Sequence, residues 1–228
     1  MSPLRSLFAT LFPRTCACCG DVLVGDERRL CLRCIAGLEY LPSSAAPDNV
    51  AERKLLGRFD FVAAMALCSY LKDGVARSVV HAMKFRGNTE LCVEMGRQLG
   101  MALLRDGRFD SVDVLLPIPL HWLRRLGRGY NQSALLCRGI AQVWPRPVSV
   151  GDVVRHRYTR RQSLQKASRR VENVHRAFRV KHPERLAGKH VLIVDDVLTT
   201  GATVAACASV LAAVPGVRIS VATLTVVT

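Results

Sequence analysis

One stretch constrains the fold more than any other: VLIVDDVLTTGATV, residues 191–204. Four consecutive apolar residues, Val191 to Val194, suit a strand buried on both faces. Asp195 and Asp196 arrive where that strand is expected to end. A Thr- and Gly-rich turn follows, and helical spacing opens near Ala202. A helix N-terminus presents unpaired N–H groups and the positive end of the helix dipole, which suits a phosphate. Gly201 lets the backbone approach such a group closely, and the hydroxyls of Thr199, Thr200 and Thr203 add donors.

Two carboxylates beside a phosphate cradle repel their ligand unless they hold hydroxyls or a cation. A ribose 5-phosphate meets both needs, with hydroxyls for the Asp pair and phosphate for the loop. An apolar run ending in Asp-Asp also fits a Walker B strand, but the chain has no GxxxxGK[ST] and no GxGxxG. A capped turn without a ligand leaves the two carboxylates unexplained.

The rest of the chain sets the frame. Strands are expected at 61–70, 112–117, 189–196 and 217–227, and helices at about 73–84, 89–105, 131–144 and 202–214. Asn131 is a good cap for the third helix. Strands alternating with helices predict an α/β fold with a mostly parallel sheet flanked by helices, whose ligands bind at the carboxyl ends of the strands. Residues 41–57 read as a linker that turns helical at its end, which divides the chain into 1–40, 41–57 and 58–228. Near the start, Leu4, Leu7, Phe8, Leu11 and Phe12 share one helical face. Pro13 interrupts that stretch and no small-residue cleavage site follows, so export is not expected. No apolar run approaches the ~20 residues of a membrane span.

The nine cysteines fall into two groups. Cys68, Cys92, Cys137 and Cys207 sit singly among apolar neighbours and read as small core residues. Cys16-x2-Cys19 and Cys31-x2-Cys34 form paired knuckles whose thiolates suit a tetrahedral structural Zn²⁺. Gly20 fits the tight turn of a knuckle, and Cys18 fits neither pair. A redox role would need only one pair within a βαβ pattern, which is absent here. An odd cysteine count points to a reducing, cytoplasmic setting.

The chain is basic, with 33 Lys+Arg against 18 Asp+Glu, a net +15. Residues 155–189 hold twelve Lys/Arg and two Glu, so 12 − 2 = +10 sits in one segment that expects an anion. Aromatic residues are sparse there, and single-strand binders usually stack bases on aromatic rings.

The 191–203 loop resembles the signature of type I phosphoribosyltransferases, which binds 5-phosphoribosyl-1-pyrophosphate (PRPP). With HAMKFRGN (81–88), LPIPLHWLRRLGRGYNQS (116–133) and RYTRRQSLQKASRRVENVHRAF (157–178), almost the whole chain resembles the ComF/ComFC family. Those are competence-associated proteins with an N-terminal zinc module on a phosphoribosyltransferase domain. The resemblance implies that Asp195 and Asp196 hold the ribose hydroxyls and that Thr199, Thr200, Gly201, Ala202 and Thr203 wrap the 5-phosphate. Pro119, His121, Arg124 and Arg128 would belong to the pyrophosphate loop, with Gly129 giving it freedom. Arg160, Arg161 and Gln162 would belong to the active-site hood, and Lys84 and Arg86 would face the pyrophosphate. His121, beside Pro and Leu, is as easily structural as catalytic. The implied cofactors are structural Zn²⁺, and Mg²⁺ with PRPP. The implied partners are PRPP, single-stranded DNA and competence proteins such as a DNA-uptake helicase. Two readings stay open: a PRPP-using enzyme of unspecified acceptor, or a non-catalytic single-stranded-DNA-binding or adaptor protein.

Overall fold

The apolar run at 191–194 lies inside a four-stranded parallel sheet. In the computed structural model, which describes residues 13–41, 46–85, 87–120, 126–127, 129–155 and 177–228, strand β5 (His190–Leu198) is flanked by β6 (Arg218–Val227) and β2 (Val114–Pro117). Strand β1 (Ala64–Tyr70) lies beyond β6, giving the order β1-β6-β5-β2. Alternate residues of each strand point to opposite faces. Leu192, Val194, Ala222 and Leu224 pack with helices α3 (Val75–Phe85), α4 (Thr89–Arg105) and α5 (Gln132–Val143). Val191, Ile193 and Val221 pack with α2 (Val50–Leu55) and α6 (Ala202–Leu211). With both faces covered, β5 has no need of polar alternation until its end, which explains its sequence.

Neither sheet edge is left bare. Leu115 N donates to Pro147 O (2.9 Å) and Ser149 N to Leu115 O (2.8 Å) outside β2. Leu41 N donates to Leu67 O (3.0 Å) and Ser69 N to Glu39 O (2.8 Å) outside β1. Such cover keeps edge strands from pairing with other chains. An antiparallel pair, β3 (Val153–Arg155) with β4 (Phe178–Val180), packs Val153 and Phe178 into the core beneath α6. Its strands have three residues each, too short for any alternation to register in the sequence.

Residues 13–40 share the core of the main body. Cys16, Leu23, Leu30, Cys34 and Leu38 join the apolar cluster of α3 and α4, beside the short helix α1 (Leu32–Ala36). Arg29 pairs with Glu90, and Tyr40 Oη donates to Gln98 Oε1 (2.7 Å). The helical end expected within 41–57 is α2, and it is built in rather than loose. Ala51 and Leu55 are buried, and Asn49 caps the helix through Ala51 N and Glu52 N. Glu52 meets Arg108 at 2.8 Å. The amphipathic stretch before Pro13 lies outside the described residues. Among the described residues no helix is long and apolar enough to cross a membrane.

Helices α4 and α5 cross with their backbones in contact at Gly96, Gly100 and Gly139. This crossing fixes where the N-terminus of α5 stands, above the carboxyl end of β2. There Asn131 Nδ2 donates to Ile118 O (3.0 Å), and Asn131 Oδ1 accepts from Ser133 N (3.1 Å).

Candidate functional site

A cleft of about 810 Å³ opens at the carboxyl end of the sheet. Asp195, Asp196, Val197, Thr199 and Thr203 form its floor and one wall. Ile118, Pro119, Leu120, Asn131, Gln132 and Ser133 form another, and Tyr70, Lys84, Phe85 and Arg155 complete the lining. Strand β5 runs on to Leu198, two residues past the expected end, so both carboxylates sit on the strand itself. Successive residues on a strand face opposite ways, and the two acids differ accordingly.

Asp196 turns toward α3, where Lys84 Nζ lies 2.9 Å from its Oδ2. Asp195 Oδ1 accepts from Ser133 Oγ (3.0 Å) and from Asp196 N (2.9 Å). Burial raises the Asp195 carboxyl to about 7, and the neighbouring Asp196 charge adds to the rise. The Asp196 N–H, Lys84 and the Ser133 hydroxyl pull the other way without cancelling it. Part of Asp195 remains open to the cleft. A carboxylate raised this far is held ready for a ligand that supplies the missing donors.

Gly201 has φ +76°, the left-handed conformation that favours glycine, and caps α6. The first bond of that helix is Ala205 N to Gly201 O (2.8 Å), and Ala202 N makes only a long contact to Thr200 Oγ1 (3.4 Å). The N–H groups of Thr203 and Val204 find no acceptor among the described residues. A Cβ on Gly201 would lie 3.0 Å from Leu55 Cδ2 and 3.2 Å from Lys54 O. Contact with α2 therefore constrains this glycine in addition to the approach of a phosphate, and any side chain here disturbs packing as well as binding.

Outside the cleft lining, the thiols of Cys16, Cys19, Cys31 and Cys34 all lie within 4.8 Å of one another. Cys19 Sγ and Cys31 Sγ are 3.7 Å apart. Four thiolates at ~2.3 Å from a tetrahedral zinc stand ~3.8 Å from each other, so this donor set fits a metal of that size. Burial alone would push the Cys16 thiol up, but N–H groups of Cys19, Cys31 and Cys18 directed at its sulfur bring it down to about 6. Burial and the neighbouring thiols push Cys34 up, so a cation is what lets all four ionise together. Cys18 stands outside the cluster, and Cys68, Cys92, Cys137 and Cys207 are buried core residues.

Residues 131–226 match the family model described as "Phosphoribosyl transferase domain". Over 136 residues the chain is 35% identical to "DNA utilization protein YhgH" of Escherichia coli (strain K12), covering 58% of this chain and 59% of that protein. Over 132 residues it is 33% identical to "Competence protein F" of Haemophilus influenzae (strain ATCC 51907 / DSM 11121 / KW20 / Rd), covering 55% and 56%. The chain is similar to phosphoribosyltransferase domains over residues 131–226, and to these two proteins over somewhat more than half its length. The match spans less than two thirds of either relative. Among solved structures, a glutamine PRPP amidotransferase from B. subtilis aligns with 57% of this chain and 26% of its own at 20% identity. Its TM-score is 0.39, a likeness too faint to argue from.

The structure gathers Lys84, Asp195, Asp196, Thr199 and Thr203 at one cleft. Thr200 is exposed beside it, and Ala202 opens α6. Lys84, expected to face a diphosphate, lines the cleft with its Nζ 2.9 Å from Asp196 Oδ2. Arg86, His121, Arg124, Arg128, Arg160, Arg161 and Gln162 lie outside the described residues. Four cleft residues escaped sequence reasoning. Tyr70 ends β1, and Gln132 and Ser133 open α5 after the cap. Arg155 is the last residue of β3, its guanidinium 5.3 Å over the Phe178 ring. The GYNQS segment was a usable signal, since a cap residue next to a basic loop marks a helix N-terminus aimed at an anion.

Proposed function

We propose that the cleft binds PRPP with Mg²⁺ and serves phosphoribosyl chemistry in the handling of incoming DNA during competence. One observation carries this reading: two helix N-termini, of α5 and α6, meet the same cleft with a carboxylate pair between them. Each N-terminus suits an anion, and the carboxylates suit hydroxyls or a cation. A ligand with two anionic ends joined through a diol matches that order, and PRPP has this form. Its 5-phosphate would sit at Thr199 to Thr203, its ribose diol on Asp195 and Asp196, and its diphosphate toward Ser133 and the segment after β2.

Transfer breaks the bond between ribose C1 and the diphosphate oxygen, leaving an oxocarbenium-like centre that an acceptor attacks. Bound Mg²⁺ would neutralise the diphosphate as it leaves, held from the protein side by the Asp195–Asp196 end of the cleft. Lys84 and Arg155 add positive charge, and Tyr70 and Phe85 give the cleft an aromatic side. The cysteine cluster is assigned a structural Zn²⁺; its four protein thiols leave no open position for chemistry. The family names and the free thiols favour the cytoplasm.

Calorimetry with Mg-PRPP tests the reading. Asp195→Ala combined with Asp196→Ala should lower affinity at least tenfold, the loss of one or two charge-assisted bonds of about 1–3 kcal/mol each. Asp195 is ionised above about pH 7 and neutral below it, so wild-type affinity should fall as pH drops from 8 to 6. Asp195→Asn should bind weakly at both pH values, with a flatter profile. Unchanged affinity in the double variant, with the fold intact by circular dichroism, sinks the assignment.

A second reading, single-stranded DNA binding, is favoured by a separate groove of about 680 Å³ between the cysteine module and the α4–α5 pair. Arg14, Arg28, Arg29, Arg97 and Arg138 line it against Glu90 and Glu94, so 5 − 2 = +3. Arg29 and Arg97 are paired with those acids, whereas Arg28 and Arg138 have no ion-pair partner among the described residues. None of the described residues of the 155–189 segment lines this groove. Anisotropy of labelled single-stranded DNA should weaken with salt at ~0.7 log units per phosphate neutralised. Arg28→Ala with Arg138→Ala should flatten that slope by about 1.4, two contacts at ~0.7 each, and leave PRPP binding unchanged. No DNA binding at low salt, or an unchanged slope, removes this reading.

A further inference from the structure

Three consecutive residues open α5, and two of them have tasks. Asn131 ties the helix to Ile118 O and caps it through Ser133 N. Ser133 donates to Asp195. Between them Gln132 is 2% exposed, and its Nε2 has no hydrogen-bond partner among the described residues. It lines the cleft nonetheless. A buried amide donor left unsatisfied is unfavourable, and Leu or Met would fill the same volume without that cost. Such a cost inside a ligand cleft is most simply explained by a partner that arrives with the ligand.

The position selects which part of the ligand that is. Gln132 stands on the α5 wall with Ile118, Pro119 and Leu120, whereas the N–H groups of α6 serve the other wall. The dipole of the twelve-residue α5 favours an anion at this end. Asp195 lies next door, and a cationic donor here would pair with that carboxylate instead of the ligand. A neutral amide can donate to an anion without capturing Asp195. We propose that Gln132 is a specificity residue of the cleft, its amide N–H donating to an oxygen of the leaving diphosphate. This rests on the PRPP reading above.

The test compares wild type with Gln132→Met and Gln132→Glu, using PRPP, inorganic pyrophosphate and ribose 5-phosphate as separate titrants in the presence of Mg²⁺. Gln132→Met should weaken PRPP and pyrophosphate about tenfold, equivalent to about 1.4 kcal/mol, and change ribose 5-phosphate by less than twofold. Gln132→Glu, similar in size but negatively charged, should weaken the two diphosphate ligands further. The melting temperature of ligand-free Gln132→Met should equal or exceed that of wild type, because a purely structural glutamine would lose stability on replacement. Equal losses for all three ligands, unchanged PRPP affinity, or a lowered ligand-free melting temperature each overturns the proposal. A wild type that binds no PRPP sinks the phosphoribosyl reading itself, whereas a wild type that binds PRPP as tightly as both variants do removes only the role of Gln132.

Discussion

Cys34→Ser is expected to release the bound metal and destabilise the whole chain by at least about 3 kcal/mol, lowering the melting temperature by roughly 6–12 °C. The effect should extend beyond residues 13–40 because Leu23, Leu30 and Leu38 belong to the core of α3 and α4. Loss of the cluster uncovers Leu23, Leu30 and Leu38, which are buried against that core. Cys19 separates a metal role from a packing role. It is exposed, so Cys19→Ser should cost almost nothing if the cysteines merely pack. As one of four ligands it should cost nearly as much as Cys34→Ser. Cys18→Ser should retain both metal and melting temperature. The measurement is elemental analysis of protein purified without chelator, expected at one zinc per chain, together with thermal unfolding of the three variants. A metal-free wild type that melts together with Cys19→Ser would refute the metal site.

Gly139→Ala should destabilise the protein even though alanine is the better helix former. A Cβ at 139 would lie 2.1 Å from Val93 O and 2.8 Å from Arg97 N, both backbone atoms that cannot rotate away. Helix propensity favours alanine by about 1 kcal/mol. Forcing two packed helices apart costs about 3 kcal/mol, so the steric effect wins by about 2 kcal/mol, or roughly 4–8 °C in melting temperature. Gly96→Ala should behave likewise, since its Cβ would lie 2.3 Å from Leu136 O. At Gly107 the nearest atom to a new Cβ is Asp110 Oδ2 at 3.6 Å, so Gly107→Ala should stay within about 0.5 kcal/mol of wild type. Because α5 carries Gln132 and Ser133 to the cleft, Gly139→Ala should also weaken PRPP. If denaturant unfolding finds Gly139→Ala as stable as wild type, the close crossing of α4 and α5 is wrong.

Local chemistry made part of this molecule legible from its residues alone. The run Val191 to Val194 could only be a doubly buried strand, and Asp195, Asp196 and Thr199 to Thr203 had to follow it to the same end of the sheet. The spacing Cys16-x2-Cys19 and Cys31-x2-Cys34 fixed four thiols that close on one another, because a knuckle is built within a few residues. The cap Asn131 marked the start of α5 for the same reason: a cap acts on its own neighbours.

Tertiary packing decided the rest. Nothing local pairs Lys84 with Asp196 or Ser133 with Asp195; those contacts join residues 112 and 62 positions apart, brought together by the order of the strands. The role of Gly139 was invisible because a helical glycine shows its purpose only when another backbone presses on it. Residues 41–57 read as a linker in part because Asn49, Ala51 and Leu55 are buried only after β1 and α6 are in place. Nothing local marks Gln132 as a cleft residue, and Arg155 was one of twelve basic residues in its segment until the fold turned both toward the cleft. Sequence spacing determines what a segment can become, whereas burial, and therefore the energy of each side chain, depends on residues far away along the chain.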